Sequence, residues 1–233
     1  MHIISVLAAE KARALQANIY FDHLDGEQLG RVVAGVSLRE FKRGETLFFE
    51  DDPCAGLHIL KAGCVKIHRI SPQGRQYIVR LMQEGDTFNE VPTFAGGVNP
   101  VNAEAIEISQ VWVVDEDCVR KMMQASPEFA QKVINNLGQN LRMLVHTVSE
   151  MAFYQVTHRL ARLISSLPDD EQNHGGAVRW TQEQMAARLG TVREVVARSL
   201  RELERSGAIQ TRNRRISIAD PGVLEEWTQG PWN

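Results

Sequence analysis

Arg193, Glu194 and Arg198 lie within one stretch, Thr191-Val192-Arg193-Glu194-Val195-Val196-Ala197-Arg198. An arginine carries two parallel N–H donors that match O6 and N7 of guanine, and a glutamate accepts from the N4 amine of cytosine. Each of the three, taken singly, also reads as an exposed helix charge. Gathered on one tip, they have the chemistry to read base edges. The surrounding charge agrees with this. Residues 179–215 hold nine arginines against four glutamates, whereas residues 1–150 hold 15 Lys/Arg against 19 Asp/Glu, in a chain of net charge −3. A basic region on an acidic chain is an electrostatic footprint for a polyanion.

These side chains need a rigid frame. Thr181-Gln182-Glu183-Gln184 fits a capping box, in which the threonine oxygen and the Gln184 side chain each satisfy a free N–H at a helix start. The short helix that follows ends at Gly190, which suits a left-handed C-terminal position. Thr191-Val192-Arg193-Glu194 then fits a second box. Two capped helices about one tight turn form a helix-turn-helix, whose second helix enters the major groove by its N-terminal half. Val192, Val195, Val196, Leu200 and Leu203 would hold that helix to a core, with Ala187 and Ala197 small enough for close approach. After Gly207, Ile209–Thr211 and Ile216–Ile218 read as a hairpin wing around Arg212-Asn213-Arg214-Arg215. Thr181, Thr191, Arg212, Arg214 and Arg215 are the candidate contacts to the DNA backbone. Leu224 and Trp227 are expected to pack back on this domain, and Gly230–Asn233 to fray.

Upstream the texture differs. Residues 3–19 have helical spacing. From residue 36 onward, glycines cut the chain into short β-branched and aromatic runs: Thr46–Phe49, Leu57–Leu60, Val65–Ile70, Tyr77–Met82 and Ile106–Val114. Turn residues between them point to an antiparallel jelly roll. Ser126-Pro127 can open a long helix. On it Ile134, Leu141 and Val148 recur every seven residues, as do Leu137, Leu144 and Met151. That a/d seam suits a parallel two-stranded pairing, and a helix lying on its own barrel is the alternative. Residues 153–167 form a further helix, and Asp169–Gly176 a polar loop. The expected fold is α+β in three parts. Residues 1–125 form an effector-sensing β-roll, residues 126–152 a dimerisation helix and hinge, and residues 153–233 a winged helix-turn-helix, with the boundary within residues 149–156.

With these parts in place the chain resembles the CRP/FNR family of bacterial transcription regulators, from about residue 20 to 220. Gly190 through Arg198, then Leu200, Leu203, Glu204 and Gly207, match its recognition-helix motif. Gly44, Gly56, Lys61-Ala62-Gly63 with Val65, and Gly85-Asp86-Thr87-Phe88 with Glu90 match its spaced glycines and pocket signature. The resemblance places Arg193, Glu194 and Arg198 on the base-reading positions and implies a TGTGA-like half-site in a palindromic operator. It implies double-stranded DNA and a second copy of the chain as partners, and RNA polymerase if the protein activates. The effector region by position is Phe88–Ala105, with Phe88, Asn89, Glu90, Asn99, Pro100, Val101 and Asn102. The family's cyclic-nucleotide sensors place a phosphate-binding Arg-Ser pair downstream of the matched glutamate. Here those positions are Pro100 and Val101, and no arginine lies between Glu90 and Arg120. A cyclic phosphate needs a compensating charge or a nest of N–H groups, so cAMP is disfavoured. No cysteine precedes Cys54, which disfavours the family's iron-sulfur cluster. Haem stays open: Val91 replaces one member's histidine ligand, and His58, His68, His146 and His158 also read as surface or hydrogen-bonded histidines.

Other classes fare worse. There is no His-x-His pair, nucleophile elbow, phosphate loop or zincin motif, so no enzyme or catalytic metal is indicated. The apolar stretch Ile3–Ala9 is too short for a membrane span and lacks the flanks of a secretory signal. Cys54, Cys64 and Cys118 form no CxxC pair, and a reducing cytoplasm is the expected setting. The remaining rival is an effector-binding module that holds another protein without specific DNA binding.

Overall fold

Between Val36 and Val114 the glycine-punctuated stretch folds as two antiparallel sheets around a shared apolar core. The computed structural model describes residues 1–166, 181–212 and 215–229; of Arg212 and Arg215 only the backbone is described. The strands are β1 (His2–Ile4), β2 (Val36–Phe41), β3 (Thr46–Phe48), β4 (Leu57–Ala62), β5 (Val65–Ile70), β6 (Gln76–Met82), β7 (Thr87–Phe88), β8 (Asn102–Ala105) and β9 (Ser109–Val114). One sheet runs β1-β2-β9-β4-β7 and the other β3-β8-β5-β6. Phe41, Phe48, Leu60, Val65, Ile67, Met82, Phe88, Val111 and Val113 fill the space between them. Successive residues of a strand face opposite sides. Trp112 and Val114 of β9, Leu57 and Ile59 of β4, and Leu38 of β2 therefore point outward, into a second core. That core is covered by α1 (Ala8–Gln16), α2 (Gly26–Ala34), α4 (Glu116–Ala125) and the first turns of α5 (Pro127–Phe153). Both faces are buried over residues 57–60 of β4 and 111–114 of β9, and the latter stretch reads as a continuous apolar run.

The turn between β4 and β5 depends on Gly63. Its φ is +94°, and a Cβ there would stand 2.5 Å from the Ile108 carbonyl oxygen. Only glycine takes that conformation in that space.

Two expectations are corrected here. Residues 3–19 are not one helix: Ile3 and Ile4 pair with Arg39 and Leu38 at the edge of β2, and the helix is Ala8–Gln16. An open sheet edge satisfies backbone groups at once, which outweighs a weak local helical preference. The expected strand Ile106–Val114 is shorter, Ser109–Val114, and Asn102–Ala105 forms the additional strand β8. Its apolar residues are only Ala103 and Ala105, a faint alternation to read from sequence.

The C-terminal part has its own core. It is built from α6 (Val156–Ser165), α7 (Gln182–Leu189), α8 (Arg193–Arg205), the hairpin β10 (Ile209–Arg212) and β11 (Arg215–Ile218), and α9 (Pro221–Gln229). Leu160, Ile164, Met185, Leu189, Val196, Leu200, Leu203, Ile209 and Leu224 are buried together, with Trp227 packed against them. The expected packing of Leu224 and Trp227 is thus present. The expected loop Asp169–Gly176, Arg214 and the terminal Gly230–Asn233 lie outside the described residues. The chain divides into two compact units, Met1–Arg69 with Val79–Arg142, and Ile70–Ile78 with Met143–Asn233. Among the described residues no helix is long and apolar enough to cross a membrane.

His58 on β4 is buried between Phe48 and Phe88, with Nδ1 2.9 Å from the Gly56 carbonyl. Burial pushes its imidazole down to about 4 from 6.5. As pH falls through this window the unfolded chain takes up the proton first, so stability is full above about 6.5 and is lost toward 4. The contribution is on the order of 3 kcal/mol, from a shift of roughly two to three pH units. Urea midpoints measured across this range should fall less steeply for His58→Gln than for wild type. Parallel curves would show that other groups carry the acid sensitivity.

Candidate nucleic-acid interface

Thr181 caps α7 as expected. Its Oγ1 accepts from the Gln184 N–H at 3.1 Å, and Gln184 Oε1 accepts from the Thr181 N–H at 2.7 Å. Gly190 ends the helix in the left-handed region, with φ +64°. The second capping box does not form. The Thr191 N–H donates back to the Ala186 carbonyl at 2.9 Å, so Thr191 completes the C-terminus of α7. The first non-helical position before α8 is then Val192, which offers no side-chain cap. Closing the first helix has taken the residue that would have opened the second.

Val196, Ser199, Leu200 and Leu203 bury one side of α8. Arg193, Glu194 and Arg198 are exposed on its N-terminal half. Glu194 sits in the first turn and Arg205 in the last, each favourable to the helix dipole. A hydrogen-bonded set locks α8 to α6: buried Thr157 Oγ1 lies 2.9 Å from Ser199 Oγ and donates to Glu202 Oε2 at 2.9 Å. On the far side Arg159 Nη1 donates to the Leu189 carbonyl at 2.9 Å, where the carbonyls of α7 end. α6 thus holds both helices of the motif, α8 through Thr157 and the end of α7 through Arg159.

Sequence reasoning missed part of this surface. Arg198, Arg201 and Arg205 line a groove of about 1010 Å³ together with Gln155, Val156 and Thr157 at the start of α6. The arginine spacing of three and then four is legible on a helix, but the approach of α6 is not. In the wing, Arg212 and Arg215 are register partners across β10 and β11.

Most of the residues expected to form a dimer seam are exposed apolar side chains on α5. Ile134 and Leu141 are each 62% exposed and Val148 65%, with Leu144 and Met151 exposed along the same helix. Leu137 differs, since it packs against the helix-covered core of the first unit.

The expected effector segment is assembled but heavily bonded to its own loops. Phe88 is buried in the barrel core, and Asn89 holds φ +67°. Glu90 opens α3 (Glu90–Ala95) and is half-buried, and burial raises its carboxyl above the usual range. Asn89 Nδ2 donates to the Gly56 carbonyl at 2.9 Å, and Asn99 Nδ2 to the Phe49 and Pro53 carbonyls at 3.2 Å each. Asn102 Oδ1 accepts from the Glu50 N–H at 3.0 Å, and its Nδ2 donates to the His68 carbonyl. Pro100 is exposed, and Val101 packs on the barrel core. A cyclic phosphate does not fit this pair: proline has no N–H to donate, and neither residue carries a charge. His58 and His68 are buried, His146 is exposed, and His158 Nδ1 sits 3.0 Å from the Trp227 carbonyl. Among the described residues no group of three or more His, Cys, Asp or Glu could hold a metal ion.

Comparison with known proteins assigns both units. Residues 38–126 match the cyclic nucleotide-binding domain family, and residues 158–227 match the Crp-like helix-turn-helix domain. A CRP-like cAMP-activated global transcriptional regulator of Mycobacterium tuberculosis is 30% identical over 186 residues, covering 78% of this chain and 83% of that protein. The structure of a CRP-family transcriptional regulator from Thermus thermophilus superposes with a TM-score of 0.65 at 25% identity, covering 84% of this chain and 98% of the other. A c-di-GMP-responsive global regulator from Xanthomonas campestris gives a TM-score of 0.69 at 20% identity, covering 84% of this chain and all of that one (100%), and shares the fold.

Proposed function

Since the chain belongs to the CRP/FNR family of DNA-binding transcription regulators, a non-catalytic family, we propose that it acts as a homodimer that reads a palindromic operator with TGTGA-like half-sites. One observation carries this reading: Arg193, Glu194 and Arg198 stand exposed on the same half of α8 whose other side is locked into a core. Arg193 and Arg198 donate to guanines and Glu194 accepts from cytosine. Thr181, Thr191, Arg212, Arg214 and Arg215 contact phosphates, joined by Arg201 and Arg205 along the groove. The exposed stripe on α5 pairs two copies, and the protein works in the cytoplasm. If it activates, RNA polymerase is its further partner.

The signal is a small molecule, a gas or a redox change received at Phe88–Ala105, and it shifts the population between two arrangements of the DNA-reading parts. The relative from M. tuberculosis is described as cAMP-activated. Pro100 and Val101 argue for a different effector here.

The test is a mobility shift with a TGTGA-type palindrome and a scrambled duplex, across several salt concentrations. Retention of the palindrome alone at moderate salt supports the reading. Equal, salt-labile binding of both duplexes refutes specific recognition, because phosphate contacts alone behave that way.

A further inference from the structure

Neither family match reaches the first 37 residues, yet part of that segment occupies a central place. Tyr20 is 0% exposed. Its ring lies 5.3 Å from Phe94 of α3 and 6.2 Å from Phe129 of α5, centroid to centroid. Its hydroxyl accepts from Asn136 Nδ2 of α5, and the Glu90 carboxylate stands close enough to act on it electrostatically. Asn136 Nδ2 also reaches Glu90 Oε1, at 3.4 Å. Two residues earlier, Asn18 Nδ2 donates to Thr87 Oγ1 at 2.8 Å, and its Oδ1 accepts from the Tyr20 N–H at 3.1 Å. Two residues later, Asp22 is paired with Lys132 of α5. The segment Asn18–Asp22 is thus pinned to β7 and α3 on one side and to α5 on the other. The paired Arg80 and Asp86 also act on Glu90 electrostatically.

Resting on the proposed role of Phe88–Ala105 as the effector region, we infer that Tyr20 and Asn136 are positioning residues for Glu90, making the N-terminal segment a wedge that passes displacement of α3 to the dimerisation helix. The geometry leaves little slack. The half-buried Asn136 amide bridges the buried Tyr20 hydroxyl and Glu90 Oε1, so it cannot follow Glu90 outward without leaving that hydroxyl, and unpaired buried polar groups are costly. If Glu90 moves, Asn136 moves with it or the junction breaks. Asn136 lies two residues from Ile134 and five from Leu141, the exposed seam residues on the other side of the same helix.

Tyr20→Phe keeps the packed ring and removes only the hydroxyl, and Glu90→Gln keeps the shape and removes the charge. Full-length variants and the double variant are compared by operator affinity and by amide hydrogen exchange. Each single variant is expected to change operator affinity by about fivefold or more, with the double variant no further than the larger single. Exchange should rise within residues 129–142 of α5 while β4 and β9 keep wild-type protection. A purely structural role would instead loosen β4, β9 and α5 together, and that result overturns the wedge. So does wild-type exchange in α5 for both single variants. The exchange readout needs no DNA. If wild type ignores the palindrome yet Tyr20→Phe and Glu90→Gln both loosen α5 selectively, the operator reading fails and the wedge stands.

Discussion

Arg193→Ala should weaken operator binding by about 1–3 kcal/mol, roughly fivefold to 150-fold, and the loss should fall on one base pair of each half-site. The size follows from what is removed: two parallel donors that only guanine matches in the major groove. The substitution leaves the frame intact, because Arg193 is exposed and α8 is held by buried Val196 and by the Thr157–Ser199–Glu202 set. Titrating a panel of duplexes, each with one base pair changed, locates the effect. The variant should lose its preference at a single position and keep it elsewhere. Uniform weakening across the panel would reassign Arg193 to the phosphates. Arg201→Ala supplies the contrast. It lies about two turns farther along α8, in the groove beside α6, and should weaken every duplex alike while lowering the salt slope by about one.

Leu141→Lys should convert the protein to monomers and with that abolish tight operator binding. Leu141 is 62% exposed in the single chain, so a lysine there costs the fold of one copy little. In a parallel pair the same position meets its own equivalent. Two leucines lose their burial, each worth roughly 1.5–3 kcal/mol, and two ammonium groups are brought together. The dimer constant should rise by at least about a hundredfold. Sedimentation equilibrium reads the oligomeric state, and thermal melting of the dilute monomer reads the fold. Loss of dimer with an unchanged monomer melt supports the seam. A dimer that persists at wild-type strength would place the subunit contact elsewhere. Leu137→Lys separates the two roles on this helix. Because Leu137 packs against the chain's own core, its replacement should lower stability of the monomer itself.

Much of the DNA-reading part was legible in the residues. Capping at Thr181, the left-handed turn at Gly190 and the apolar spacing through Leu203 act over a few residues each, and a helix's exposed face follows once its buried face is known. The site was less complete, since Arg201 and Arg205 acquire meaning only beside the start of α6. Thr191 shows the limit of motif reading. Its type fits a cap, but the turn that closes α7 claims its N–H first. The effector segment shows it more strongly. Asn99 and Asn102 look like ligand-facing polar residues in sequence, yet their amides hold loop backbone around Phe49–Pro53 and His68.

What the sequence determined by itself was the order of parts, the period of each and the chemistry on the tip of α8, because caps, glycine turns and apolar periods are encoded within single elements. Only the tertiary structure decided that Ile3 and Ile4 pair as a strand, that Leu137 turns inward from the seam, and that Tyr20, Glu90 and Asn136 meet. Those three residues come together from separations of 46 and 116 positions. Their contacts depend on how sheet and helices pack, and no local pattern in the chain records that.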